Sequence, residues 1–144
     1  MTISTVVTMR KTLIALGLAA SVVAAQAPAG ATTGIHWGPV ESTNGRAAAD
    51  VWITPFKAET FVVYGKLRDR APAHCAYIRA RFHYTGGGTG WSRAKTTCST
   101  ASFKLSSDGR IKRADVKVCL SKGRTTSRCY TEKITPEIIA GWPQ

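Results

Sequence analysis

The chain has 144 residues, with 20 Lys and Arg against 8 Asp and Glu for a net charge of +12, and four cysteines. That length is too short for two ordinary domains. Its acidic residues are scattered singly, so no pair of carboxyls at a set separation points to glycoside hydrolysis, and the cationic excess directs attention to anionic partners instead.

Arg10 and Lys11 lead into an apolar run from Leu13 to Ala25, followed by small-residue sites at Ala25 to Ala27 and at Ala29 to Ala31. This is the pattern of a secretory signal peptide over residues 1–31. The run spans only about thirteen residues and is dominated by Ala, whereas a spanning helix needs about 20 predominantly apolar residues. No membrane span is therefore expected in the mature protein. Cleavage after Ala31 removes Arg10 and Lys11 and no other charge, leaving the 113 residues from Thr32 to Gln144 with 18 basic and 8 acidic side chains, a net +10. One extracellular domain is the expectation.

The mature region alternates with a period of two. His36 to Val40 is a marginal first strand, and Asp50 to Thr54 follows as a short one. Between Phe61 and Arg68, the residues Phe61, Val63, Gly65 and Leu67 oppose Val62, Tyr64, Lys66 and Arg68. The clearest stretch is Cys75 to Tyr84, where Ala76, Ile78, Ala80, Phe82 and Tyr84 oppose Tyr77, Arg79, Arg81 and His83, the signature of a half-buried strand. Trp91 to Cys98, Ser102 to Ser106 and Arg128 to Ile134 read as shorter strands. Ile111 to Leu120 sets Ala114, Val116, Val118 and Leu120 against Arg113, Asp115 and Lys117. Turn residues separate these runs at Asn44-Gly45, at Pro72, in the glycine-rich tip from Thr85 to Gly90, at Asp108-Gly109 and at Lys122-Gly123. Seven or eight such strands predict an antiparallel sandwich or small barrel, and the β-sandwich is the expected fold. A single helical turn is predicted at the end, with Thr135 as cap, Pro136 in the first position, Glu137 near the N-terminal dipole and Gly141 as the stop.

All four cysteines, Cys75, Cys98, Cys119 and Cys129, fall in the mature region, and an even number in a small exported chain reads as two disulfides. Three connectivities are open. Cys75 with Cys98 and Cys119 with Cys129 is favoured because each pair brackets a candidate hairpin. No Cys-x-x-Cys pair is present and metal-ligand spacing is absent, so neither a metal nor a cofactor is expected.

Catalysis has no local signature. His36, His74 and His83 stand without a nucleophile elbow, and His83 reads as a solvated residue in phase with Arg79 and Arg81. A ribonuclease-like hydrolase would draw on Glu59, Glu132, His83 and Arg79, a set available in almost any basic β protein. The charge pattern is more specific. Lys66 and Arg68, Arg79 and Arg81, Arg93 and Lys95, and Arg113 and Lys117 recur at strand spacing, which predicts a cationic sheet face that binds a polyanion or simply confers solubility and protects an edge. Trp37, Trp52, Trp91 and Trp142 raise the question of a sugar or base platform. Trp52, between Val51 and Ile53, reads as core, and Trp91, directly after the glycine tip, as exposed. Apolar residues at the two ends, Ile35, Trp37 and Val40 at the front and Ile138, Ile139 and Trp142 at the back, either close the ends of the sandwich or dock on a partner.

Across Phe61 to Asp69, Cys75 to Phe82, Trp91, Cys98, Val116 to Cys119 and Cys129, the chain resembles small exported four-cysteine β proteins of actinobacteria. Among these it is similar to the small adaptor subunit of umbrella toxin particles, which links a lectin-bearing subunit to the stalk of a large polymorphic toxin. The resemblance covers roughly Asp50 to Tyr130 and implies assembly with other secreted proteins in a hetero-complex, without catalysis. The cysteine spacings do not fit the subtilisin inhibitors of the same bacteria. An interaction module of an extracellular antibacterial complex is the leading expectation, ahead of a cationic polyanion binder and a small hydrolase.

Overall fold

The computed structural model describes residues 34–143. The expected signal peptide, residues 1–31, lies outside the described residues. Nine strands and one short helix run through the described residues: β1 (Ile35–Glu41), β2 (Ala47–Ile53), β3 (Val62–Asp69), β4 (Cys75–Tyr84), β5 (Thr89–Trp91), β6 (Lys95–Thr97), β7 (Thr100–Ser106), β8 (Ile111–Lys122), β9 (Thr125–Ile134) and α1 (Pro136–Ala140). All strand pairs are antiparallel. Sheet A has the order β1-β2-β3-β7, and sheet B the order β5-β4-β8-β9 with β6 also paired to β4. The fold is the all-β sandwich that the alternation predicts.

Alternation decides what is buried. β4 turns Ala76, Ile78, Ala80 and Phe82 inward, while Phe61, Val63 and Leu67 come from the chain around β3, and Ala114, Val116, Val118 and Leu120 from β8. Phe61 and Phe82 meet edge to face with ring centroids 6.3 Å apart, and Phe56 leans on Phe61 at 4.6 Å. Burying one such ring contributes about 2–3 kcal/mol. No helix among the described residues is long and apolar enough to cross a membrane.

Two departures from strict alternation reset the phase. In β1 both Trp37 and Val40 face the core, three positions apart, because the register shifts between His36 and Gly38 and Gly38 takes a φ of 101°. In β8 Ile111 and Ala114 are both buried for the same reason, the register shifting opposite His83 and Tyr84. Gly65 on β3 is a different case. Its φ is 151°, and a Cβ there would lie 1.8 Å from the carbonyl oxygen of Asp50 on β2, so only glycine permits this approach of the two strands.

The expected strand from Trp91 to Cys98 is replaced by two short ones. Between them Ser92 turns inward. Its N–H donates to the Ala80 carbonyl at 2.8 Å, but its Oγ accepts from the Ala80 N–H at 3.0 Å and donates to the Arg93 carbonyl at 2.9 Å, so a side chain replaces the accepting half of the ladder pair and the run breaks into β5 and β6.

The disulfides pair Cys75 with Cys98 and Cys119 with Cys129. The first ties the start of β4 in sheet B to the segment entering β7 of sheet A; the second joins β8 to β9 within sheet B. Opposite Cys119 the β8–β9 register shifts and Arg128 takes a φ of 53°, a bulge in the edge strand. At the C-terminus the predicted turn forms: Thr135 Oγ1 accepts from the Ile138 N–H at 3.3 Å, Pro136 and Glu137 occupy the first turn, and Gly141 caps the end.

Candidate functional site

The outer face of sheet B collects the side chains that the core leaves over. β4 presents Tyr77, Arg79, Arg81 and His83, and cross-strand partners in an antiparallel ladder share a face. Registers therefore build three rows. Trp91, Arg81, Asp115 and Lys133 form one across β5, β4, β8 and β9. Arg79, Lys117 and Thr131 form the second, and Thr89, His83 and Arg113 the third.

Asp115 is the single acid in these rows and it is 8% exposed. Arg113 donates to it through Nε at 2.7 Å and Nη2 at 3.1 Å, and His83 Nε2 donates at 2.8 Å. Burial alone would raise the Asp115 carboxyl. The hydrogen bonds and charges of Arg113 and His83 outweigh it and hold the group below its ordinary value. The carboxylate is thus spent on its neighbours. Among the described residues no carboxylate lies within salt-bridge distance of Arg79, Arg81, Lys117 or Lys133.

Trp91 organises the edge of this field. It is 48% exposed, and the guanidinium carbons of Arg79 and Arg81 lie 4.9 Å and 5.6 Å from its ring centroid. Both contacts are in cation–π range. Arg79 Nε also donates to the Ser92 carbonyl at 2.9 Å, and Arg81 Nη2 to Thr89 Oγ1 at 3.2 Å. Arg81 Nε is buried with no hydrogen-bond partner among the described residues. These contacts fix where the two guanidinium groups sit without neutralising them.

Of the eight basic residues predicted to share a face, the structure brings Arg79, Arg81, Arg113 and Lys117 together and separates the others. Lys66 and Arg68 project from the outer face of sheet A, opposite Asp50 and Ala48. Arg93 follows β5 in the Ser92 break, and Lys95 on β6 pairs with inward-facing Ile78 at the edge. Lys133 joins the face and escapes a reading by sequence, because the bulge at Arg128 conceals the phase of β9. The reading of His83 as a plain solvated histidine is also corrected, since it is tied to Asp115 across the sheet.

The hydrolase set does not assemble. Glu132 is in register with Val116, on the opposite side of sheet B from His83, and accepts from the Tyr130 hydroxyl at 2.6 Å. Glu59 lies in the connection between β2 and β3. Among the described residues no group of three or more His, Cys, Asp and Glu side chains is placed to hold a metal ion.

The apolar ends meet each other. Trp37 is 4% exposed and stacks on Trp142 at 4.3 Å, Val40 is in the core, and Ile35 and Ile139 pack against it. Val40 is therefore withdrawn from any docking role and Trp37 is covered by Trp142, while Ile138 remains at the surface. Trp52, expected in the core, faces out because Val51 and Ile53 hold the buried phase of β2. Comparison with protein-family models, curated proteins and solved structures returns no match for the chain.

Proposed function

We propose that this protein is an exported, non-catalytic binding module that holds an anionic macromolecule against the outer face of sheet B. The observation that carries the reading is the set of unpaired cations Arg79, Arg81, Lys117 and Lys133 beside exposed Trp91, on a face whose single acid is already consumed. A flat cationic sheet attracts polyanions through released counterions, and its aromatic rim adds a surface for stacking. The leader pattern from Arg10 to Ala31 and the two disulfides support export to an oxidising compartment.

Heparin and double-stranded DNA are suitable generic polyanions. The expected result is binding that weakens steeply with salt, the slope of log K against log salt falling by about one for each cation removed from the face. An Arg79→Glu, Arg81→Glu variant that folds and keeps the same slope overturns the reading.

The resemblance to umbrella-particle adaptors favours a second occupant for the same face, an acidic subunit of a secreted toxin complex. That occupant predicts stoichiometric co-purification from culture medium at moderate salt, which a polymeric anion does not.

A further inference from the structure

At the far end of sheet A the two chain ends create a feature that the cationic face does not use. His36, Trp37, Gly38, Trp52, Trp142 and Pro143 line a cleft of about 310 Å³. Its aromatic walls are ordered by contacts of their own: Trp37 and Trp142 stack at 4.3 Å with planes 24° apart, and His36 lies 4.5 Å from Trp52 at 33°. Two indoles face solvent, Trp52 at 37% and Trp142 at 38% exposure, while Trp37 forms the buried wall. A polar pair sits beside them. His36 Nε2 and Asp50 Oδ1 are 2.6 Å apart, and Asp50 Oδ2 takes no hydrogen bond among the described residues.

We propose that this cleft is a binding site for one pyranose ring of a neutral saccharide. A pyranose has a face of C–H groups and a rim of hydroxyls, so it needs an aromatic surface beneath and hydrogen-bonding groups at the side. Trp52 and Trp142 supply the surface, and the His36 imidazole, which lines the cleft and is held by Asp50 at 2.6 Å, supplies the hydrogen-bonding group at the side. The size agrees, since about 300 Å³ is the lower end of small-molecule sites and suits one ring rather than a long chain.

Charge decides against the other ligands that aromatic pockets accept. A quaternary ammonium would have to approach a domain carrying a net +10, in a cleft that no carboxylate lines among the described residues. An acidic sugar would lie beside the Asp50 carboxylate that holds His36. Trp37 and Trp142 lie at opposite ends of the mature chain, so the site exists only once the sandwich has closed. Sequence reading could not have found it, because it depends on the outward phase of Trp52 and on Trp142, just past α1, stacking on Trp37 of β1.

Saturation-transfer NMR with cellotriose, maltotriose, mannotriose and triacetylchitotriose, each at millimolar concentration, tests the proposal. Binding of at least one is expected, insensitive to salt, with Trp52→Ala weakening it about tenfold, the typical loss for one stacked ring. Asp50→Asn should weaken it severalfold, while Trp91→Ala on the other sheet leaves it unchanged. Trp52 is exposed, so an unaltered melting temperature establishes that the Trp52→Ala variant is folded. The proposal is overturned if none of the four probes binds, if binding survives Trp52→Ala, or if tetramethylammonium or a proline-rich peptide occupies the cleft in their place. Because the readout is insensitive to salt, its failure is distinct from failure of the polyanion reading.

Discussion

The two sheets solve different problems with similar strands. Sheet A is held by close packing: Ala47, Ala49, Val51 and Ile53 are fully buried on β2, and Gly65 lets β3 press against the backbone of β2. Its outer face mixes signs, with Asp50 opposite Lys66 and Glu41 3.8 Å from Arg70. Sheet B gathers Arg79, Arg81, Arg113, Lys117 and Lys133 on one face around a single carboxylate, and both disulfides are anchored in it. Like charges on adjacent strands repel. The sheet that stores this repulsion is also the one in which both disulfides are anchored, so covalent cross-links offset the cost of its cationic face.

The largest test of that contrast removes the cross-links. Loops of these lengths contribute about 3 kcal/mol per bridge, so replacing all four cysteines by Ser should cost about 6 kcal/mol. Hydrogen exchange should show β8 and β9 losing protection before β2. Gly65→Ala probes the opposite sheet and should lower stability by about 3 kcal/mol in urea unfolding, through overpacking and backbone strain, with the cationic face unaffected.

Charge reversal compares the two outer faces directly. Arg79→Glu with Arg81→Glu should lower heparin affinity about 100-fold at 0.15 M salt, whereas Lys66→Glu with Arg68→Glu should change it only a few fold. Equal losses would mean that only net charge matters. Asp115→Asn has a smaller effect: Arg113 and His83 lose a charged acceptor, which should cost about 1–2 kcal/mol in thermal unfolding.

The pH dependence is the mildest effect. The Asp115 carboxyl is lowered in the folded protein, so its stabilisation is complete above the ordinary value of 3.8 and is lost as pH falls through the lower folded value. Melting temperatures from pH 6 to pH 2 should fall less steeply in Asp115→Asn than in the parent chain.

The strands are legible in the sequence where alternation is uninterrupted. The inward and outward phase of β4 is read correctly from Cys75 to Phe82, where alternation is strict. The terminal turn is legible too, since Thr135, Pro136 and Gly141 each act locally. Where one inserted residue flips the phase, as at Gly38 in β1 and near Arg128 in β9, pattern alone misplaces the residues beyond it. Alternation also gives a face without saying which sheet bears it. Lys66 and Arg68 group with Arg79 and Arg81 by spacing for that reason, although β3 and β4 lie in different sheets. The His83–Asp115–Arg113 cluster needs cross-strand register, which no spacing along one strand contains.

The kink at Arg128 governs how copies of the molecule behave toward one another. β9 is the rim of sheet B, and a long straight rim of unpaired peptide groups is a template for fibril growth. Here the left-handed residue bends the rim, and the Thr43 N–H donates to the Arg128 carbonyl at 2.9 Å, closing the template near its middle. A second copy therefore finds no straight, uninterrupted run of free peptide groups along β9 on which to extend the sheet.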